Sequence, residues 1–183
     1  MKLPELTILD EKNKLLHQKS KDVVFPMDKK EKDMLEDMLT YLEMSQIEKY
    51  SEKYHLRPGM GLAWVQVGVP KRAFVICYEN DEGAFDKYIV INPEIISMSE
   101  EMIYVGEGEG CLSVNREVDG IVPRHARITV KAYDENGKEF TLRVREDLAI
   151  AFQHEIDHLN GIMFTDYIDP KCPYKNADQM REI

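Results

Sequence analysis

The sequence predicts an α+β fold in which mixed or antiparallel sheets pack around a central helix carrying a His-Glu-x-x-His motif. Three observations predict it. Runs rich in β-branched and aromatic residues at 73–78, 88–91, 128–133 and 139–144 read as strands. Asn136-Gly137, between the last two, is a strong hairpin turn. The strands come first and the motif-bearing helix follows, an order that suits an α+β domain.

Each element has its own warrant. Residues 30–43 read as an amphipathic helix with Met34, Leu35, Met38, Leu39 and Leu42 on one side, a spacing that marks a core face. The run from Ala73 to Tyr78 reads as a strand and makes Cys77 an inert, buried thiol. Leu148 to Phe152 is apolar on every face, which marks a helix buried on several sides. Asp147 is expected to cap its start and Asn160-Gly161 to end it in a left-handed turn. The 25 residues after His158 read as a tail. No Gly/Ser linker, repeat or low-complexity run divides the chain, so residues 1–183 are expected to form one domain.

The motif is His154-Glu155-Ile156-Asp157-His158. Two imidazoles four residues apart project from one helix face and can grip one metal ion. A divalent cation lowers the pKa of bound water from 15.7 toward about 7, and the intervening carboxylate can take the proton. Such a pentapeptide also occurs by chance on solvated helices. Inside an apolar helix, however, two histidines and a carboxylate need partners. The pattern therefore points to metal-assisted hydrolysis.

A catalytic site of this kind wants three protein ligands and one open position. Phe164 stands where the long metalloprotease signature would place a third histidine, so the ligand has to come from upstream. Cys111 is the best candidate. It follows the alternating glycines Gly106, Gly108 and Gly110, which let the backbone approach an ion closely. Cys172 reads as a free thiol in the tail, and His17, His55 and His125 sit in no motif and read as solvated or structural. Asp157 in a buried helix calls for a cation, and Arg124 is the expected partner. Gly59-x-Gly61 lacks the third glycine of a dinucleotide loop, since Trp64 occupies that place.

Three separated motifs, GMGLAWVQ at 59–66, EGCLS at 109–113 and QHEIDH at 153–158, together resemble the peptide deformylases. The resemblance extends over nearly the whole chain. The long segment before the first motif, with Val114 after the second, is similar to the type 2 branch found in Gram-positive bacteria and their wall-less relatives. Trp64 stands where the family usually has alanine. The resemblance implies that Cys111, His154 and His158 hold the metal and that Glu155 is general base and then acid. It implies that Gln66 and the backbone N–H of Leu112 donate to the oxyanion, and that Met60, Gly61 and Leu62 form an edge under an extended substrate. Ile150 and Ala151 would line the pocket for a methionine side chain. The implied reaction removes formyl from the N-terminal formylmethionine of new polypeptides. The implied metal is Fe(II), with Zn(II), Ni(II) or Co(II) also suited to a Cys/His/His set.

Composition bounds the partners. With 34 acidic against 24 basic residues, the net charge of −10 disfavours nonspecific nucleic-acid binding. Met1 to Leu6 lacks a signal core, no stretch approaches the ~20 apolar residues of a membrane span, and three unpaired cysteines suit a reducing compartment. A cytoplasmic monomer is expected, with no membrane or specific nucleic-acid partner and at most a transient ribosome contact. Two rivals remain. A metallopeptidase that cuts internal bonds is disfavoured by Phe164, and a scaffold with a structural zinc would need a fourth ligand, which the sequence does not offer.

Overall fold

The computed structural model describes residues 1–183. Helix α1 spans Lys29–Gln46, and its start is closed by a reciprocal cap. The Asp28 carboxylate accepts from Glu31 N at 2.9 Å, and Glu31 accepts from Asp28 N at 3.0 Å. Helix α2 (Glu48–Tyr54) ends at His55, which takes a left-handed conformation with φ 53°. Strands β1 (Gly61–Ala63), β2 (Ala73–Glu79), β3 (Phe85–Met98), β4 (Met102–Tyr104), β5 (Arg124–His125), β6 (Arg127–Tyr133) and β7 (Glu139–Arg145) follow. Helix α3 is Glu146–Leu159, and β8 is Arg181–Glu182. The larger sheet is antiparallel in the order β1-β2-β3-β6-β7, and the smaller has the order β5-β4-β8. The expected α+β architecture is present.

The larger sheet lies between α1 and α3 because β2 buries both of its faces. Ala73, Val75 and Cys77 point toward Leu35, Met38, Leu39 and Leu42 of α1. Phe74 and Ile76 point the other way, toward Phe152 and Ile156 of α3. A strand alternates its side chains, so an unbroken apolar run feeds two cores at once. The rings of Phe74 and Phe152 meet edge to face at 5.3 Å, which ties the motif helix to the sheet.

Three expectations need correction. The strand at 88–91 belongs to a 14-residue strand that continues through Asn92-Pro93 with register shifts between Ile91 and Glu94 and between Ile95 and Ser97. Asn92 adopts φ 49° and exchanges side-chain hydrogen bonds with the backbone of Val23, so a break signal in the sequence became a bulge. Asp147 does not cap α3. The N-cap is Arg145 without a side-chain bond, and Asp147 lies in the first helical turn. The residues after His158 are not a free tail, since β8 pairs in parallel with β4. The hairpin at Asn136-Gly137 and the left-handed Gly161 (φ 74°) are as expected. No helix is long and apolar enough to cross a membrane.

Candidate metal centre and cleft

The buried face of α3 carries His154 and Glu155 into a cleft of about 540 Å³, with His158 buried one turn behind them. Opposite them stands Cys111. Its Sγ is 3.4 Å from His158 Nε2, and the donor atoms of Cys111, His154 and His158 all lie within 4.8 Å of one another. Metal bonds of 2.0–2.3 Å in tetrahedral geometry would separate such donors by about 3.3–3.6 Å, so the three residues fit one transition-metal ion. His154 donates from Nδ1 to Glu109 at 2.9 Å, which leaves its Nε2 on the Cys111 side for a ligand role.

Glu109 is the residue that sequence reasoning left without a role. It sits in the second motif, yet no local pattern says which imidazole it serves. Arg124 grips both of its oxygens at 2.7 and 3.0 Å and also reaches Asp157 at 2.5 Å. Burial alone would raise the Glu109 carboxyl, but the bonds from His154 and Arg124 outweigh it and hold it down at about 2. The predicted Asp157–Arg124 pair is thus part of a longer chain, Asp157–Arg124–Glu109–His154, closed off by the Tyr167 hydroxyl on Asp157 at 3.1 Å. Phe164, in the place of a third histidine, stacks on the His154 ring at 5.9 Å.

Glu155 is pressed against the first motif. A Cβ on Gly61 would collide with its carboxyl group, whose Cδ would lie at 2.9 Å, so glycine here is a packing requirement of the glutamate. Burial pushes Glu155 up to about 7, partly countered by His154. Its Oε2 is buried and has no hydrogen-bond partner in the protein. Burial opposes charge on both imidazoles. In His154 the bonds to Cys111 and Glu109 prevail and raise it well above the ordinary range, whereas His158 stays well below. A centre that draws protons onto one ligand in this way is suited to hold a cation in their place.

Gln66 is locked in orientation. Its Oε1 accepts from Ala63 N at 2.7 Å, and Nε2 donates to Ser113 Oγ at 3.1 Å while lying 3.6 Å from Cys111 Sγ. The amide therefore presents N–H, not C=O, to the centre. Arg57, a second residue that sequence reasoning missed, donates to the carbonyls of Cys111, Leu112 and Val114 at 3.2, 2.5 and 2.8 Å. It clamps the loop that carries the thiol and the Leu112 N–H. Gln46 holds the first motif to α1 by bonds to Gly59 O and Cys77 O. Neither role has a signal in local sequence, because each partner lies on a separate element.

Met60, Gly61, Leu112, Ile150 and Ala151 line the cleft. Leu62 does not. Its side chain is fully buried on the α1 side of the sheet, because alternation turns it away from Gly61, and only its backbone on edge strand β1 is left to face a ligand. Trp64 also points into the α1 core, where its indole N–H donates to Met34 Sδ at 2.9 Å, so the substitution leaves the cleft wall alone. Cys77 is buried and Cys172 exposed. His17 and His125 bond backbone carbonyls of Glu11 and Ser99, and His55 terminates α2, which makes all three structural.

The family model described as polypeptide deformylase matches residues 5–173. A peptide deformylase from Oceanobacillus iheyensis is 47% identical over 161 residues, covering 88% of each chain. Peptide deformylase 2 from Bacillus anthracis is 43% identical over 176 residues, covering 96% of each. Among solved structures, a probable peptide deformylase from Synechococcus phage S-SSM7 aligns with a TM-score of 0.73 at 36% identity, covering 90% of this chain and all of that one. The peptide deformylase of Thermotoga maritima aligns at 0.71 and 31% identity, covering 90% and 98%.

Proposed function

The chain belongs to the polypeptide deformylase family, in its type 2 branch, and from that premise we propose a division of labour among its residues. The protein is a metal-binding hydrolase that removes the formyl group from the N-terminal methionine of new polypeptides. Cys111, His154 and His158 hold the ion. A divalent ion bound there supplies Lewis-acid activation, lowering the pKa of water toward about 7 and polarising the formyl oxygen. Fe(II) is the ion we assign, with Zn(II), Ni(II) and Co(II) able to replace it.

Glu155 takes the proton of the attacking water and returns it to the leaving amine nitrogen. Its buried, unpartnered Oε2 beside the Cys/His/His group is the observation that carries this reading. Gln66 Nε2 and the Leu112 N–H donate to the oxyanion that grows on the formyl oxygen, and losing one such donor typically costs about 2.7–4 kcal/mol of transition-state stabilisation. The backbone edge at Met60, Gly61 and Leu62 seats the extended peptide, and Ile150 with Ala151 receives the methionine side chain. Residues 1–183 work as one catalytic unit, a monomer in the cytoplasm that touches the ribosome transiently.

The test is formate release under anaerobic conditions, with metal analysis of the same sample. Formyl-Met peptides should be cleaved far faster than acetyl-Met peptides, because a formyl carbon carries only hydrogen where an acetyl group would have to seat a methyl beside Gly61, Gln66, Leu112 and Glu155. Equal rates, or cuts inside the peptide, would reject the reading in favour of a general metallopeptidase.

A further inference from the structure

Strand β8 carries no residue of the reaction, yet it is fastened to the wall of the cleft. Arg181 and Glu182 pair in parallel with Ile103 and Tyr104 of β4. Ile183 N donates to Tyr104 O at 3.0 Å and Gly106 N donates to Ile183 O at 3.2 Å, so the segment brackets Val105, which lines the cleft. The Arg181 guanidinium forks onto Glu146, the first residue of α3, at 2.8 and 2.9 Å, and reaches Glu101 at 2.9 Å.

The apolar side of this segment matters more. Ile150 belongs to neither of the two large cores. It packs in a small separate cluster with Ile103 and Ala126, and Val105 and Ile183 complete that cluster from outside. Its backing therefore comes from Ile103 of β4, from Ala126 between β5 and β6, and from Val105 and Ile183 just after β4 and β8, while Phe152 and Ile156 on the same helix are backed by the main core. Side chains in a close-packed interior hold their places only while their neighbours do.

We infer that Ile183, held in place by Arg181, forms the outer backing of the methionine pocket and sets its width, which makes β8 a specificity-determining element. The inference rests on the reading that Ile150 and Ala151 receive the methionine side chain. With Ile183 shortened or Arg181 released, Ile150 gains room to move outward, and the pocket loses its fit to an unbranched thioether while admitting wider side chains.

The experiment compares the parent with Ile183→Ala, Ile183→Val and Arg181→Ala on formyl-Met, formyl-Ala and formyl-Phe peptides, recording kcat, KM, metal content and Tm. Ile183→Ala and Arg181→Ala should reduce the preference for formyl-Met over formyl-Ala by about three- to tenfold, chiefly through KM, since pocket contacts on this scale discriminate by binding. Metal content should be unchanged and formyl-Phe should gain on formyl-Met. Ile183→Val should fall between. Arg116→Ala, which breaks an exposed pair with Glu11 outside this cluster, should behave like the parent. Equal losses on all three peptides that follow the loss in Tm would reduce β8 to a structural prop and overturn the inference, as would unchanged ratios. A parent that does not distinguish formyl-Met from formyl-Ala would instead defeat the assignment of Ile150 and Ala151, and the inference with it.

Discussion

At the residue scale, the roles of Glu155 and Glu109 separate by what each carboxylate touches. Glu155 has one oxygen without a partner, and Glu109 has both oxygens engaged. Glu155→Gln keeps the shape but cannot accept a proton, so it should retain stoichiometric metal and lose at least about 10²-fold in kcat. A metal-loaded variant with near-parent kcat would remove Glu155 from the chemistry. Glu109→Gln should act on the ion instead. His154 loses a charged acceptor for Nδ1–H, and metal affinity, read by competition with a chelator, should fall by about 10–100-fold. The same change leaves the buried Arg124 with Asp157 as its one charged partner, which should lower Tm.

At the element scale, the edge strand β1 and helix α3 meet where Gly61 faces Glu155. Gly61→Ala has to push the carboxyl aside, since the new Cβ and the glutamate cannot share the space. A misplacement of about 1 Å can cost roughly 10²-fold in rate, so kcat should drop on that order while the metal stays bound. Unchanged kcat would mean that Glu155 works from another position. The strand β8 makes a different test. Arg181 lowers the carboxyl groups of Glu101 and Glu146 below their ordinary value near 4.5. A lowered folded-state pKa contributes stability above about 4.5 that is lost as pH falls through the folded value. The Gly106 and Ile183 amides, which bond across this junction, should therefore lose protection below about pH 4.5, read as exchange relative to the intrinsic rate at each pH. That pH-dependent loss should be absent from Arg181→Ala, in which their protection is already low.

At the scale of the whole molecule, the three donors suited to one ion come from parts far apart in sequence: Cys111 from the glycine-rich loop and two histidines from α3. Because the ligands converge only in the folded chain, binding adds to stability by mass action, about 2.7 kcal/mol at free metal a hundredfold above Kd. Removing metal with a chelator should lower Tm, and Cys111→Ala should show the lower Tm with or without added metal. A parent Tm that ignores the chelator would show that the centre is held by the fold alone. The sheet between α1 and α3 predicts that outcome to be a shift, not unfolding, since both large cores are built from apolar residues that need no metal.

The sequence by itself determined what depends on short spacing. Two histidines and a glutamate at helical intervals and the Asn136-Gly137 turn are placed by spacing within a few residues, because local geometry alone brings them together. The long apolar run of β2 and the face of α1 were legible for the same reason. Only the tertiary structure decided what depends on partners from distant elements. That Glu109 serves His154, that Arg57 clamps the Cys111 loop, that Leu62 and Trp64 turn to the α1 side, and that the last residues back Ile150 all rest on contacts across the chain. Such contacts are set by how strands are ordered and helices laid on them, and no window of the sequence contains that order.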